Sequence, residues 1–143
     1  MSEVTHALCK AASEIPDVEA VLYGSGPDEN KIHDIIKTYD KNTPVKVGGL
    51  IEFKKMQKKL LENNVFVLLS DYEGLPVSLM EAMACGLVPV CYNINSGIPE
   101  LIDHNISGLL VNDRESDFYD SILRLKNEDG LWEKLSNGAK RKD

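Results

Sequence analysis

The stretch VFVLLSDYEGLPVSLMEAMACG, from Val65 to Gly86, decides the fold. Its first five residues are apolar and rich in β-branched and aromatic side chains, which is typical of a strand buried on both faces. The remainder predicts a loop and then a helix from about Pro76 to Ala84, because proline suits the first turn of a helix and glycine suits its end. A buried strand that leads directly into a helix indicates an α/β unit.

The residues on both sides of this unit continue the same alternation. Apolar residues at helical spacing predict helices, including two at the end of the chain. Short apolar runs that end at turn-forming residues predict strands, and these runs are Ala20–Tyr23, Val45–Val47, Val88–Tyr92 and Leu109–Val111. Alternating strands and helices indicate a parallel sheet with helices on both faces. The sequence therefore predicts one α/β, Rossmann-like domain over residues 1–143.

A sheet of this kind binds its ligands beyond the carboxyl ends of its strands. The segments that follow the predicted strands are rich in Gly, Ser, Asn or Pro, as loops near a ligand often are. These segments are Gly24–Pro27, Gly48–Leu50, Ser70–Pro76 and Asn93–Gly97. We therefore expect the functional site to lie among them.

The composition excludes several classes of function. A formal net charge of −7 argues against a general nucleic-acid binder, which needs a basic face. No apolar run reaches the ~18 residues of a membrane span, and the amino terminus lacks a signal-peptide pattern, so we expect a cytoplasmic protein. Cys9, Cys85 and Cys91 form no Cys-x-x-Cys pair, which favours reduced, buried thiols. The histidines are scattered along the chain, so we predict no metal site.

Two glutamates flank the start of the predicted helix after Val65–Leu69. The first turn of that helix has unpaired N–H groups and a partial positive charge, which suits a diphosphate. Glu81 would lie ~7–8 Å along the helix from its start, a plausible distance from a diphosphate to its ribose. Glu73 precedes the helix, where its carboxylate could accept hydrogen bonds from sugar hydroxyls. From spacing alone, a solvated loop carboxylate and an ordinary helix-surface glutamate are the commoner explanations.

The stretch from Glu73 to Gly86 resembles the two-glutamate signature of family 4 glycosyltransferases, which are retaining enzymes of two-domain GT-B architecture. The resemblance covers nearly the whole chain, in order. Its other motifs are Val21-Leu-Tyr-Gly-Ser-Gly-Pro27, Val47-Gly-Gly49, Pro89-Val90, Ser96-Gly-Ile-Pro-Glu-Leu-Ile102 and Ser107-Gly-Leu-Leu-Val111. The resemblance implies the carboxyl-terminal, donor-binding domain of an enzyme that transfers a glycosyl group from a nucleotide sugar.

The same resemblance implies a role for each matching residue. Glu73 would contact the donor sugar and is the predicted catalytic residue, and Glu81 would bind the ribose. Backbone amides near the start of the helix would serve the sugar and the phosphates, although a proline among them has no N–H to donate. These positions are Gly74, Leu75, Pro76 and Val77. Two glycine segments would line the phosphate and base sides through Gly24, Gly26, Gly49 and Leu50.

The resemblance also implies a donor and partners. The expected donor is a UDP- or GDP-hexose, held without a metal ion or other cofactor. Two features of the family have no counterpart in this sequence: the first strand of the donor domain, with the Arg and Lys that follow it, and the amino-terminal domain that binds the acceptor. We therefore expect this chain by itself to bind the donor without transferring its sugar.

One predicted helix carries a cluster of lysines that bears on contact with a membrane. Four lysines form a basic face on one predicted helix, and they are Lys54, Lys55, Lys58 and Lys59. A solvated helix face explains them more simply than a lipid contact does. Peripheral association of the full enzyme with the inner face of the membrane is the alternative.

Two other functions are also compatible with the α/β pattern. The chain could be a non-catalytic module that binds a nucleotide or nucleotide sugar. An NAD-binding domain is the weaker alternative, because no strand is followed by Gly-x-Gly-x-x-Gly. Gly24-Ser-Gly26 instead leads into Asp28 and Glu29, whose charges are unfavourable beside a pyrophosphate.

Overall fold

The computed structural model describes residues 2–23, 29–39, 44–49, 53–69, 77–93 and 101–141, in which helices and strands alternate. The helices are α1 (Ser2–Glu14), α2 (Glu29–Lys37), α3 (Phe53–Leu61), α4 (Val77–Ala84), α5 (Ser116–Asn127) and α6 (Leu131–Arg141). The strands are β1 (Ala20–Tyr23), β2 (Val45–Gly49), β3 (Val65–Leu68), β4 (Val88–Tyr92) and β5 (Leu109–Val111). The chain divides into two compact units, Met1–Phe53 and Lys54–Asp143.

The first unit contains a parallel pair of strands. β1 and β2 pair in a register that places Ala20 opposite Val45. The apolar side chains of this pair pack with those of α1, so that Cys9, Leu22 and Val45 share one buried cluster. An amphipathic helix that covers one face of a short parallel pair is the arrangement that the alternating sequence predicts.

The second unit contains a three-stranded parallel sheet in the order β3-β4-β5. The central strand β4 is apolar, and its first four residues are buried, as expected for a strand covered on both faces. Val90 lies opposite Val67 on one side and Leu109 on the other. Since all three strands are parallel, their carboxyl ends lie at the same edge of the sheet.

Helix α4 packs on this sheet and ends where the sequence predicts. Leu79 and Met83 share a buried cluster with Cys91 of β4. The N–H of Gly86 donates to the carbonyl of Met83, and the N–H of Leu87 donates to that of Ala82, at 3.0 and 3.1 Å. Gly86 adopts φ 85°, so this is a Schellman motif whose left-handed position favours glycine.

The predicted α/β fold with parallel strands is confirmed, and the differences lie at the ends of elements. β2 continues to Gly49, two residues beyond the predicted strand, and β3 ends at Leu68, one residue before the predicted end. Helix α4 is described from Val77, while Pro76, the predicted first residue, lies outside the described residues. None of the helices in the described ranges is long and apolar enough to cross a membrane.

The last helix packs closely against the rest of the second unit. The indole N–H of Trp132 donates to the carbonyl of Asn64 at 3.0 Å, and the hydroxyl of Ser136 donates to that of Gly86 at 2.6 Å. Gly138 faces the backbone of Ile106, where a Cβ atom would overlap the carbonyl oxygen and lie 2.9 Å from the carbonyl carbon. A helix can approach backbone this closely only where the side chain is a hydrogen atom.

We expect Gly138→Ala to lower the free energy of unfolding by ~1–3 kcal/mol, because the added methyl group must displace backbone and not a flexible side chain. Alanine has the higher helix propensity by ~1 kcal/mol, so a gain in stability would be expected if packing were loose. Urea denaturation followed by circular dichroism measures the change. The matched control is Asn137→Ala at the neighbouring, exposed position, and an alanine variant at 138 as stable as that control would contradict the close approach.

Candidate functional site

The predicted site residues divide between described and undescribed parts of the chain. Three of them are described: Gly49 at the end of β2, Val77 at the start of α4, and Glu81 within α4. The others lie outside the described residues, and they are Gly24, Gly26, Leu50, Glu73, Gly74, Leu75 and Pro76. The roles predicted for these residues therefore stay predictions.

The side chain of Glu81 lies at the boundary between the buried and the exposed faces of α4. It lies four residues after Val77, about 6 Å along the axis of α4. The adjacent Ala82 is fully buried, whereas Met80 is exposed, so the side chain of Glu81 lies between the two faces and is half-buried. Within the described ranges its carboxylate has neither a hydrogen-bond donor nor a cation as a partner. A half-buried carboxylate in this position is able to accept hydrogen bonds from a ligand.

The carboxyl edge of the three-stranded sheet carries polar groups. The N–H of Asn93, just after β4, donates to the carbonyl of Val111 at the end of β5, at 2.8 Å. The side-chain amide of Asn93 donates to that of Asn112 at 3.2 Å. These two bonds hold the ends of β4 and β5 together at the edge where parallel α/β sheets bind their ligands.

Arg114 is a residue at this edge that the sequence analysis did not single out. Its Nε donates to the carbonyl of Leu69, the residue after β3, at 2.6 Å. Its guanidinium carbon lies 4.4 Å from the centroid of the Tyr92 ring, at the end of β4. The sequence does contain a signal for it. The turn that follows the last strand also lies at the carboxyl end of a strand, so an arginine in that turn is a candidate site residue.

The turn that carries Arg114 is held by two aspartates. Asp113 accepts the backbone N–H groups of Glu115 and Asp117 with one oxygen, both at 3.0 Å. Asp117 accepts the N–H of Asn112 at 2.6 Å. Side chains that bond to nearby backbone in this way fix the conformation of a turn. Arg114 therefore extends from a backbone whose direction is set on both sides.

The cysteines and acidic residues of the described ranges form no metal-binding cluster of three or more ligands, and the predicted lack of a metal stays a prediction. All three cysteines are free, Cys9 and Cys91 are buried, and Cys85 is half-buried. Burial raises the pKa of the Cys9 thiol and raises that of the Cys91 thiol strongly. A raised pKa leaves these thiols neutral near pH 8, so neither serves as a nucleophile.

We expect iodoacetamide at pH 8 to label Cys85 before the two buried cysteines, because alkylation needs an accessible thiolate. Peptide mass spectrometry after short exposures measures the order. In concentrated urea all three should react at similar rates, which controls for differences in intrinsic reactivity. Early labelling of Cys91 in the folded chain would show that the face of β4 under α4 is open to solvent.

Comparison with solved structures defines the class of fold. A variant of TarM from S. aureus, solved with Fondaparinux, alpha-GlcNAc-glycerol and UDP, matches 99% of this chain with a TM-score of 0.85 and 28% identity. The C-terminal domain of LpcC, a glycosyl transferase group 1 family protein from Francisella tularensis, matches 99% of this chain with a TM-score of 0.85 and 20% identity. The chain covers 28% of the TarM chain and 75% of the LpcC chain. The fold is that of the carboxyl-terminal domains of GT-B glycosyltransferases.

The family follows from the sequence comparison. The family model described as Glycosyl transferases group 1 matches residues 2–142, and the chain belongs to that family. A curated relative, the amylovoran biosynthesis glycosyltransferase AmsK of Erwinia amylovora, is 39% identical over 111 residues. Those residues are 73% of this chain but 27% of AmsK, so the chain spans a minor part of the length of this relative.

Proposed function

We propose that this chain binds a UDP- or GDP-hexose as the donor for retaining glycosyl transfer, as the resemblance to family 4 implies. The observation that carries the proposal is the placement of Glu81, half-buried on α4 in a chain of the glycosyl transferases group 1 family. TarM, whose fold this chain matches, was solved with UDP, which supports a uridine nucleotide among the candidate donors.

In this proposal each part of the donor has its own group of protein contacts. Glu81 accepts hydrogen bonds from the ribose hydroxyls, and Glu73 accepts them from hydroxyls of the sugar. Backbone amides at Gly74, Leu75 and Val77 serve the sugar and the diphosphate, while Pro76 has no N–H to donate. Gly24, Gly26, Gly49 and Leu50 line the phosphate and base sides. No metal ion or other cofactor takes part.

Helix α4 contributes to the proposed chemistry through its amino-terminal end. The bond between the anomeric carbon and the diphosphate oxygen breaks, and its electron pair leaves with the diphosphate. Dipoles aimed at the leaving group then stabilise the transition state more than the bound donor. A helix terminus supplies ~0.3–1 kcal/mol of such stabilisation when exposed and up to ~2 kcal/mol when partly buried.

The acceptor is the remaining requirement for transfer. Its hydroxyl must be held close to the anomeric carbon, and this positioning accounts for a large share of the rate that an enzyme provides. In two-domain transferases closure of the opposing domain supplies the positioning and excludes water. We therefore propose that this chain, tested by itself, binds the donor, hydrolyses it slowly at most, and transfers no sugar.

We expect Glu81→Ala to weaken binding of the nucleoside diphosphate and of the nucleotide sugar equally, by ~1–3 kcal/mol, because the ribose is common to both ligands. Isothermal titration calorimetry with UDP, UDP-glucose, GDP and GDP-mannose measures both losses. Glu81→Gln keeps the shape of the side chain and separates the loss of charge from the loss of packing. Glu133→Ala, at an exposed position of α6, is the matched control for removal of a helix glutamate.

Glu73→Ala should have a different signature, with a loss for the nucleotide sugar alone. The ratio of the dissociation constant of the nucleotide sugar to that of the diphosphate is therefore unchanged by Glu81→Ala and raised by Glu73→Ala. Equal losses for both ligands in both variants would contradict the separate roles. A wild-type chain that binds none of the four ligands would contradict the proposed function itself.

A further inference from the structure

We infer that the lysine face of α3 is a docking surface for an anionic lipid bilayer. This face consists of Lys54, Lys55 and Lys58, which are exposed, and of Lys59, which pairs with Glu62. The nine residues of α3 include four lysines and no acidic residue, in a chain whose formal net charge is −7. The inference goes beyond donor binding and does not depend on it.

The packing of α3 fixes the direction in which these lysines point. Leu60 is buried in a cluster with Ala82 of α4, and Met56 packs against the same cluster. With 3.6 residues per turn, Lys54 and Lys58 lie on the side of the helix opposite to this contact. The lysine face is therefore turned to solvent, where a flat charged surface can meet it.

The lysines at the beginning of α3 are placed against the dipole of the helix. Lys54 and Lys55 lie in its first turn, where the backbone N–H groups carry a partial positive charge and acidic side chains are favoured. Among the residues that the structure describes, neither of them nor Lys58 has a carboxylate partner, whereas Lys59 pairs with Glu62 at 3.6 Å. Like charges four residues apart, as at positions 54 and 58, also repel each other. An arrangement that breaks local rules without compensation inside the chain is expected at a functional surface.

An exposed leucine on the same side favours a bilayer as the partner. Leu61 is 62% exposed and lies seven residues after Lys54, so both side chains are on one side of the helix. Helices that adsorb to membranes combine lysines with leucine, which enters the boundary between headgroups and acyl chains. A nucleic-acid site needs an extended basic surface, and a net charge of −7 is unfavourable for one. Anionic phospholipid headgroups are therefore the partner that this face fits.

Vesicle sedimentation tests the inference with the 143-residue chain and two lipid compositions. We expect binding to vesicles of phosphatidylcholine and phosphatidylglycerol to be about a hundredfold tighter than binding to phosphatidylcholine alone. Three lysines account for this difference, because each contributes a factor of about five near an anionic surface. Salt at about 1 M should abolish the difference, since it shortens the screening length to about 3 Å.

The variant Lys54→Gln/Lys58→Gln removes two of the four lysines. It should weaken binding to the anionic vesicles about thirtyfold. The matched control, Lys37→Gln/Lys134→Gln, removes two exposed lysines from α2 and α6 and lowers the net charge by the same amount. Its binding should differ from that of the wild-type chain by less than about twofold. Circular dichroism of both variants checks that they fold alike.

A third variant, Leu61→Ser, separates the apolar part of the contact from the electrostatic part. It should weaken binding to the anionic vesicles about fivefold, because the exposed apolar surface of the leucine no longer enters the bilayer boundary. The dependence of binding on salt should stay as in the wild-type chain, since every lysine is still present.

The lysine face is also tested for independence from the donor site. Calorimetry with UDP and GDP should give the same affinities for Lys54→Gln/Lys58→Gln as for the wild-type chain. A loss of nucleotide affinity in this variant would show that the lysines serve the donor, and it would overturn the inference. A wild-type chain that binds vesicles and no nucleotide would contradict the proposed function and leave the docking surface standing.

Three further results would overturn the inference. Equal binding to anionic and neutral vesicles would show that charge is not recognised. Binding of Lys54→Gln/Lys58→Gln at the wild-type level would place the contact on another surface. Absence of binding to both kinds of vesicle would contradict the bilayer directly, and binding of a fluorescein-labelled RNA duplex in its place, lost in the same variant, would assign the face to a nucleic acid.

Discussion

The parallel pairing of β4 with a strand on each side is the interaction on which the second unit depends. It satisfies the backbone of a strand that is buried on both faces, where an unpaired N–H or carbonyl would be costly. It also brings the carboxyl ends of β3, β4 and β5 to one edge. The polar residues that follow these ends are therefore neighbours, although Leu69 and Arg114 are 45 positions apart in the sequence.

The candidate site is supported by two kinds of interaction at that edge. Apolar packing holds α4 on the sheet through Leu79 and Met83, which fixes the height and rotation of the helix that bears Glu81. Directional bonds hold the strand ends, through Asn93 to Val111 and through Arg114 to Leu69. Packing alone tolerates small shifts, whereas hydrogen bonds specify position and direction, so the two together are suited to a preorganised site.

Much of this fold was predictable from local pattern. The apolar run Val65–Leu69, the helix that follows it and its glycine end were identified because period, length and turn residues all agree there. The predicted ends of β2 and β3 were less accurate, since a strand ends where its partner ceases to pair and not where the character of its own residues changes. Arg114 was not predicted, because its partners are the backbone carbonyl of Leu69 and the aromatic ring of Tyr92, which lie far from it in the sequence. The sequence adjacent to Arg114 contains no pattern that indicates either contact.

The sequence by itself determined the α/β class, the order of the elements and the ordered motifs of the glycosyl transferases group 1 family, because periodicity and motif spacing are local properties of the chain. Only the tertiary structure decided which strand is central, that Glu81 is half-buried, and that Arg114 lies against Tyr92 and Leu69. These features arise from contacts between residues far apart in sequence. Burial and partnership of a side chain depend on what packs against it, and that is known only when the strands have been placed side by side.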